Sequence, residues 1–335
     1  MSVIQGTSEA LRRRSALKES RLERLFRMVE IRLVEDRIIE LFGEGLIPGS
    51  THTCQGQEAV AVAVAAVVQP TDTVACTYRG HGMALALGVT REALLGEVFG
   101  RKIGCMGGLG GSMHLSDPTV GLLPTFAIVG AGVPIGVGAA LAAQVKGTRD
   151  ISVSVFGDGA TNIGGFHEGL NLAAIWSLPT IFICENNLYG EYSPLARTTP
   201  VTDIAVRAGS YGMPAAIVDG QDLDALEEAI DAAAARAREG GGPTLIEAKT
   251  YRYAGHSRSD KGTYRPSGEL EEWLQRDPIT LFARKLVEEG SADEGTLDAA
   301  REQVRRQLDQ SLENVLASPV PDPSDMLANI TAGRK

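Results

Sequence analysis

Cysteine is scarce in this chain: Cys54, Cys76, Cys105 and Cys184 stand 22, 29 and 79 positions apart in 335 residues. No CxxC pair occurs and no cysteine lies in a cluster with histidine, which argues against a disulfide framework, a zinc ribbon or a redox dithiol. Reduced thiols and a cytoplasmic location are expected, with Cys184 a small hydrophobe inside an apolar strand. Long hydrophobic runs are missing too. The nearest approach, 59–68, is ten residues of mostly Ala and Val, which fits a buried helix and not a membrane span. The N-terminal MSVIQGTSEALRRRSALK has no apolar stretch, so no secretory signal is expected. Its Arg and Ser content is that of a mitochondrial transit peptide, but Glu9, Glu19 and Glu23 read better as a solvated helix face. A basic excess is also absent: the net charge is −10 and the pI near 5.1, which argues against a nucleic-acid partner. The 39 glycines show no collagen period, and 44% apolar content is too high for a disordered chain.

What is present is a regular alternation. Residues 20–42 carry Leu22, Leu25, Phe26, Val29 and Leu33 with charges between them, predicting a helix with one buried stripe that stops at Gly43, Gly45 and Pro48. An Ala/Val helix over about 56–68 and a short strand, VACT (74–77), follow. From 100 to 138 the chain is irregular and dense in glycine until GVPIGVGAALAA opens a tightly packed helix. Then ISVSVF reads as a strand, GDGATN as a turn, a helix runs to about Ile175, and TIFICE is a strand. The pattern recurs in AAIVDG (215–220), a helix over 222–238 and PTLIEAKTYR (243–252). Near-continuous apolar strands joined through helices specify an α/β fold: a parallel sheet with helices on both faces. A polar loop, YAGHSRSDKGTYRPSG, leads to two terminal helices, the last with Leu297, Val304, Leu308, Leu312 and Val315 in one stripe. The expected organisation is an N-terminal helical extension (1–50), the α/β domain (51–265), and a C-terminal helical extension and tail (266–335).

The chemistry centres on GDGATN at 157–162 and the Asn186–Asn187 pair, with 26 residues between the GDG and the pair. A helix of about 13 residues climbs roughly 20 Å, and a strand of about six returns the same distance. Asp158 and Asn187 therefore meet at the carboxyl edge of the sheet, where open α/β sheets bind ligands. Gly157 and Gly159 permit close backbone approach, and the following helix offers its amides to an anion. A carboxylate and an amide oxygen are hard ligands suited to Mg²⁺ held on phosphate oxygens.

A lone GDG is an ordinary turn; GDG and NN at this spacing across a strand–helix–strand unit resembles the thiamine diphosphate motif. The longer stretch GDGATNIGGFHEGLNLAAIWSLPTIFICENNLYGEY is similar to the α subunit of the first component of 2-oxo acid (pyruvate or branched-chain) and acetoin dehydrogenase complexes. TYRGHG (77–82), GGSMH (110–114), IVGAGVP (128–134) and YRYAGHSRSD (251–260) fit the same family, so the resemblance spans about 20–325. It implies the diphosphate-type domain of the thiamine diphosphate-binding fold. It also implies that Asp158, Asn187 and the Tyr189 carbonyl hold Mg²⁺. The amides of Gly159 and Ala160 at the Gly157 turn, with Tyr78 and Arg79, would hold the diphosphate, although Tyr78 and Arg79 also suit a plain surface turn. Val129 would meet the aminopyrimidine through its backbone, and Ala127 stands where the family commonly has glycine. His52 and His256 match the family's active-site histidines, and an imidazole suits proton transfer there. His81 and His114 divide evenly between pocket lining and loop packing, and His167 reads as structural.

The resemblance further implies oxidative decarboxylation of a 2-oxo acid or cleavage of acetoin, with the acyl group passed to a lipoyl-bearing dihydrolipoyl acyltransferase. Only one half of a two-domain cofactor clamp is present, so a β subunit in an α₂β₂ heterotetramer is expected. A split transketolase-like enzyme without a lipoyl acceptor is the alternative within thiamine chemistry. Outside it stands a nucleotide-binding domain, which needs a GxGxxG after a strand, and GGLGGS (107–112) does not obviously follow one. The loop 254–265 has almost no apolar side chain to bury, so it is expected to open at low cost without ligand. Ser257 and Thr263 lie there, where some family members are phosphorylated.

Overall fold

The structure, a computed structural model, describes residues 15–326; segments 1–14, on which the signal and transit-peptide expectations mostly fall, and 327–335 lie outside the described residues. In chain order the elements are α1 (Arg21–Gly43), α2 (Glu58–Val67), β1 (Thr73–Ala75), α3 (His81–Leu87), α4 (Arg91–Val98), α5 (Gly132–Lys146), β2 (Ser152–Gly157), α6 (Gly164–Ile175) and β3 (Thr180–Asn186). A two-residue hairpin pair follows, β4 (Tyr189–Gly190) and β5 (Ser193–Pro194), then β6 (Ala215–Asp219), α7 (Leu223–Arg238) and β7 (Thr244–Lys249). Three helices end the described chain: α8 (Glu269–Leu274), α9 (Pro278–Glu288) and α10 (Thr296–Ala317).

Five strands form one parallel sheet in the order β1-β2-β3-β7-β6. Because strand side chains alternate, each apolar strand feeds two cores. Val153, Val155, Ile181, Ile183 and Ile246 face a large core built from α1, α2, α3, α4, α7, α9 and α10. Phe156, Phe182, Cys184 and Leu245 face a smaller one under α5 and α6. The doubly covered parallel sheet expected from the sequence is thus the observed fold, and the helices of the two terminal segments share the large core. Among the described residues no helix is long and apolar enough to cross a membrane.

One stripe does not describe α1. Leu22 is 43% exposed, whereas Arg27, Glu30 and Glu35 are buried. Helices α2, α3, α9 and α10 all pack on α1, so charges standing between its apolar positions are enclosed. They are paired instead: Arg27 meets Glu30 at 2.7 Å, and Arg91 reaches Glu30 from α4.

The glycine-dense stretch after α4 is organised by a single carboxylate. Glu97, fully buried at the end of α4, accepts the backbone amides of Met106 (2.8 Å), Gly108 (2.9 Å), Gly110 (2.6 Å) and Gly111 (3.2 Å). Gly104 must be glycine, since a Cβ there would stand 2.6 Å from the Glu97 amide nitrogen. Hydrogen bonds to a buried charged group contribute about 1.5–3 kcal/mol each, and unsatisfied donors add a penalty. Glu97→Ala is therefore expected to destabilise the protein by at least about 3 kcal/mol in urea unfolding, with fast hydrogen exchange at 106–111. Retention of slow exchange there would contradict this role.

Candidate active site

The carboxyl ends of β1, β2, β3 and β7 open into one cavity of about 410 Å³. The β2–β3 ladder, with Gly157 opposite Glu185, carries the chain to Asp158 on one strand and to Asn186–Asn187 on the other. Every site residue singled out from the sequence lines this cavity. Tyr78 and Arg79 come from the turn after β1, and Ala127 and Val129 from the loop before α5. Gly157, Asp158, Gly159 and Ala160 form the turn after β2, and Asn187 and Tyr189 the turn after β3. His52 precedes α2 and His256 follows β7. Gly159 and Gly190 meet face to face; a Cβ on Gly159 would lie 3.1 Å from the Gly190 Cα. That close approach draws the two turns together.

Asp158 is the anomaly of the site. It is 1% exposed, and neither carboxylate oxygen has a hydrogen-bond partner. Burial lifts its pKa from 3.8 to about 6, only partly offset by nearby amides, including those of Asn187 and Gly159. Beside it the Asn187 side chain gives its Nδ2 to Gln57 Oε1 at 3.4 Å, while its Oδ1 accepts the Tyr189 amide at 3.3 Å. No group of three or more His, Cys, Asp or Glu suited to a metal exists among the described residues. A cation held here would therefore need amide and backbone oxygens besides Asp158, a hard-donor set of the kind Mg²⁺ takes.

The cavity wall is cationic. Partly buried Arg79 donates to the carbonyls of Thr53 and His256, and fully buried Arg252 donates to Glu191 O (3.1 Å) and the Tyr264 hydroxyl (2.8 Å). Burial, and secondarily Arg252, lower the Arg79 pKa to about 10. His52 and His256 stand edge to face at 5.0 Å, and His52 packs on Tyr78 at 4.6 Å. Burial first, then the charge of Arg79, depress their pKa values to about 4 and about 3. Both imidazoles are thus neutral at pH 7 in the ligand-free cavity, able to accept or donate a hydrogen bond.

Among the cavity residues not singled out from the sequence, Gln57, Glu185 and Arg252 carry polar or ionisable groups that face the site. Arg252 lies four residues before His256 in a motif already noted, and Glu185 directly precedes the asparagine pair. Glu185 is partly buried in the cavity wall, and burial raises its pKa to about 7 against the opposing charge of Arg79. The other histidines lie outside the cavity. His81 is completely buried between Glu35 (2.8 Å) and the Ser112 hydroxyl (2.9 Å), His114 is exposed, and His167 bonds the Tyr211 hydroxyl at 2.6 Å. The loop 254–265 has one aromatic anchor, Tyr264 packed on Tyr189 and Tyr192, and polar groups brace the rest. Arg265 donates to the carbonyls of Arg252, Tyr253 and Ala254, and Asp260 accepts from the His256 and Gly262 amides and the Tyr264 hydroxyl. GGLGGS follows α4 and irregular chain, with neither a strand before it nor a helix after it, so the nucleotide-binding alternative has no support.

The Asp158 penalty has a sign. Folding raises its pKa, so the folded state is disfavoured increasingly as pH climbs from about 4 to about 6 and fully above that. Asp158→Asn is expected to stabilise the ligand-free protein by about 3 kcal/mol at pH 8, and by almost nothing near pH 3. Urea unfolding at the two pH values measures it; equal stability of both proteins at pH 8 would contradict it.

Residues 26–324 match the dehydrogenase E1 component family. The chain is 42% identical over 317 residues to the α subunit of acetoin:2,6-dichlorophenolindophenol oxidoreductase from Bacillus subtilis, covering 94% of this chain and 95% of that one. To the same subunit from Cupriavidus necator it is 40% identical over 314 residues, covering 93% and 94%. To the pyruvate dehydrogenase E1 component subunit α of Rhizobium meliloti it is 37% identical over 314 residues, covering 93% and 90%. With the match running from α1 to beyond α10 and including every residue of the cavity, the chain belongs to the dehydrogenase E1 component family.

Proposed function

We propose that this chain is the α subunit of a thiamine diphosphate- and Mg²⁺-dependent dehydrogenase component that cleaves acetoin, or decarboxylates a pyruvate-like 2-oxo acid, and delivers the acyl group to a lipoyl acceptor. The observation that carries this reading is the partnerless Asp158 carboxylate at the base of a cavity lined by the full residue set of the resemblance. Acetoin is preferred because the relatives named for it share 42% and 40% identity over nearly the whole chain.

Bound thiamine diphosphate would supply a carbon nucleophile for a carbonyl and an electron sink once a carboxylate or acyl group departs. The protein's part is binding, orientation and proton control. Asp158, the Asn187 side-chain oxygen and the Tyr189 carbonyl would hold Mg²⁺, removing the electrostatic penalty on Asp158. Tyr78, Arg79 and the Gly159 and Ala160 amides would hold the diphosphate, for which a partly buried guanidinium is well suited. Ala127 and Val129 would offer backbone contacts to the ring. His52 and His256, neutral at pH 7, would each accept or return a proton near the substrate.

A β subunit fits the exposed faces. Val129 on the cavity rim is 43% exposed, and Ile128 beside it 74%. Ile135 and Val145 on α5, Leu172 and Ile175 on α6, and Trp176 beyond it continue an apolar surface. Apolar surface on this scale marks an interaction site. We also propose a cytoplasmic location, in keeping with four unpaired thiols, and docking of an α₂β₂ assembly on a lipoyl-bearing acyltransferase.

The purified chain alone is expected to turn over neither acetoin nor pyruvate; a co-expressed β subunit should confer activity, greater with acetoin. Turnover by the single chain, contamination excluded, would overturn the assembly. In the assembled protein Asp158→Ala should abolish Mg²⁺-dependent thiamine diphosphate binding by calorimetry while the fold survives. Unaltered affinity would sink the site assignment.

A further inference from the structure

The turn after β3 is held under backbone strain. Among described non-glycine residues only Ser177, Leu188 and Glu191 have positive φ, and the last two, at 72° and 56°, flank Tyr189–Gly190. Such conformations cost on the order of 1–3 kcal/mol each and persist only where the surroundings over-determine them. Local bonds hold part of the turn: Leu188 donates to Asn186 Oδ1 (3.2 Å), and its carbonyl accepts the Leu195 amide (2.8 Å). Arg252 holds the Glu191 carbonyl at 3.1 Å.

A further fastening comes from outside the α/β core. Glu269, the first residue of α8, accepts the Tyr189 hydroxyl at 2.7 Å, and the same oxygen accepts the Tyr251 hydroxyl at 2.7 Å. The acceptor is itself well supported, because Tyr251 stacks on Trp273 of α8 at 5.4 Å with 9° between planes. Glu269 does not line the cavity holding Asp158; it borders a separate cavity of about 470 Å³ on the other side of Tyr189.

We propose that Glu269 is a positioning residue for the cation site: by taking the Tyr189 hydroxyl it fixes the strained turn that presents the Asn187 side chain and the Tyr189 carbonyl. The inference rests on the function proposed above. Groups that orient ligands from outside typically change metal affinity 10–100-fold when removed. The phenol-to-carboxylate bond would give the Tyr189 side chain a role at a position whose proposed contribution is a backbone carbonyl.

The test is Mn²⁺ binding to the α/β assembly with thiamine diphosphate, read by electron paramagnetic resonance and independent of turnover. Glu269→Ala and Tyr189→Phe are each expected to weaken Mn²⁺ about 10–100-fold, and the double variant no further than either. Glu269→Gln, which keeps an acceptor oxygen, should restore most of the affinity. Tyr251→Phe, which removes the other bond to the same oxygen, should stay near wild type. Wild-type affinity in Glu269→Ala or Tyr189→Phe, or additive losses in the double variant, would overturn the inference. Should Glu269→Ala fail to fold, Tyr189→Phe and Glu269→Gln still decide. Absence of Mn²⁺ binding in the wild-type assembly would instead overturn the proposed function.

Discussion

The parallel pairing of β2 with β3 is the constraint on which the site depends. With Gly157 opposite Glu185, the two strands finish level, and the residues just beyond them share one small volume. In a parallel ladder a slip of one residue exchanges the faces of every side chain. Here it would push Phe182 and Cys184 into the wrong core and carry Asn187 away from Asp158. The two hydrophobic cores therefore specify the site's geometry without touching it, since the register that satisfies both also sets Asp158 beside Asn187.

Within that geometry the cavity is electrostatically unbalanced. Two arginines, Arg252 buried and Arg79 partly buried, and two neutral imidazoles surround it, while a carboxylate without a hydrogen-bond partner lies at its base. Each group is disfavoured alone, and each is relieved by a ligand of opposite character: an anion for the arginines, a cation for Asp158. Such preorganisation opposes folding stability and favours binding, a trade expected at functional sites.

Much of this was legible in the sequence because it depends on short-range spacing. The strands ISVSVF and TIFICE carry their burial in unbroken apolar runs, and the GDG and NN turns fall at their ends by length alone. The interleaved charges of α1 misled, because nothing local reports that α10, some 270 residues onward, packs against the same helix. Glu97 gathering four amides was likewise invisible, since a glutamate at a helix end reads as a solvated side chain. Gln57 and Glu185 escaped for a related reason: one stands at the start of an apolar helix, the other at the end of an apolar strand. Their cavity contacts exist only once β1, β3 and the 51–57 segment are assembled. Arg252 was within reach, being four residues from a histidine already chosen.

The bare apolar surface on α5 and α6 has a consequence for the life of the chain. A polypeptide that leaves the ribosome with Ile175 64% exposed beside Trp176 and Leu172 is sticky until something covers them. Its apparent stability then becomes a matter of stoichiometry: covering ligand or subunit shifts the equilibrium by mass action, and dilution withdraws the benefit. Unmatched copies would be exposed to aggregation and proteolysis in proportion to their excess. The level of this chain would thus track that of whatever covers the face, and balanced synthesis becomes part of the physical chemistry of the fold.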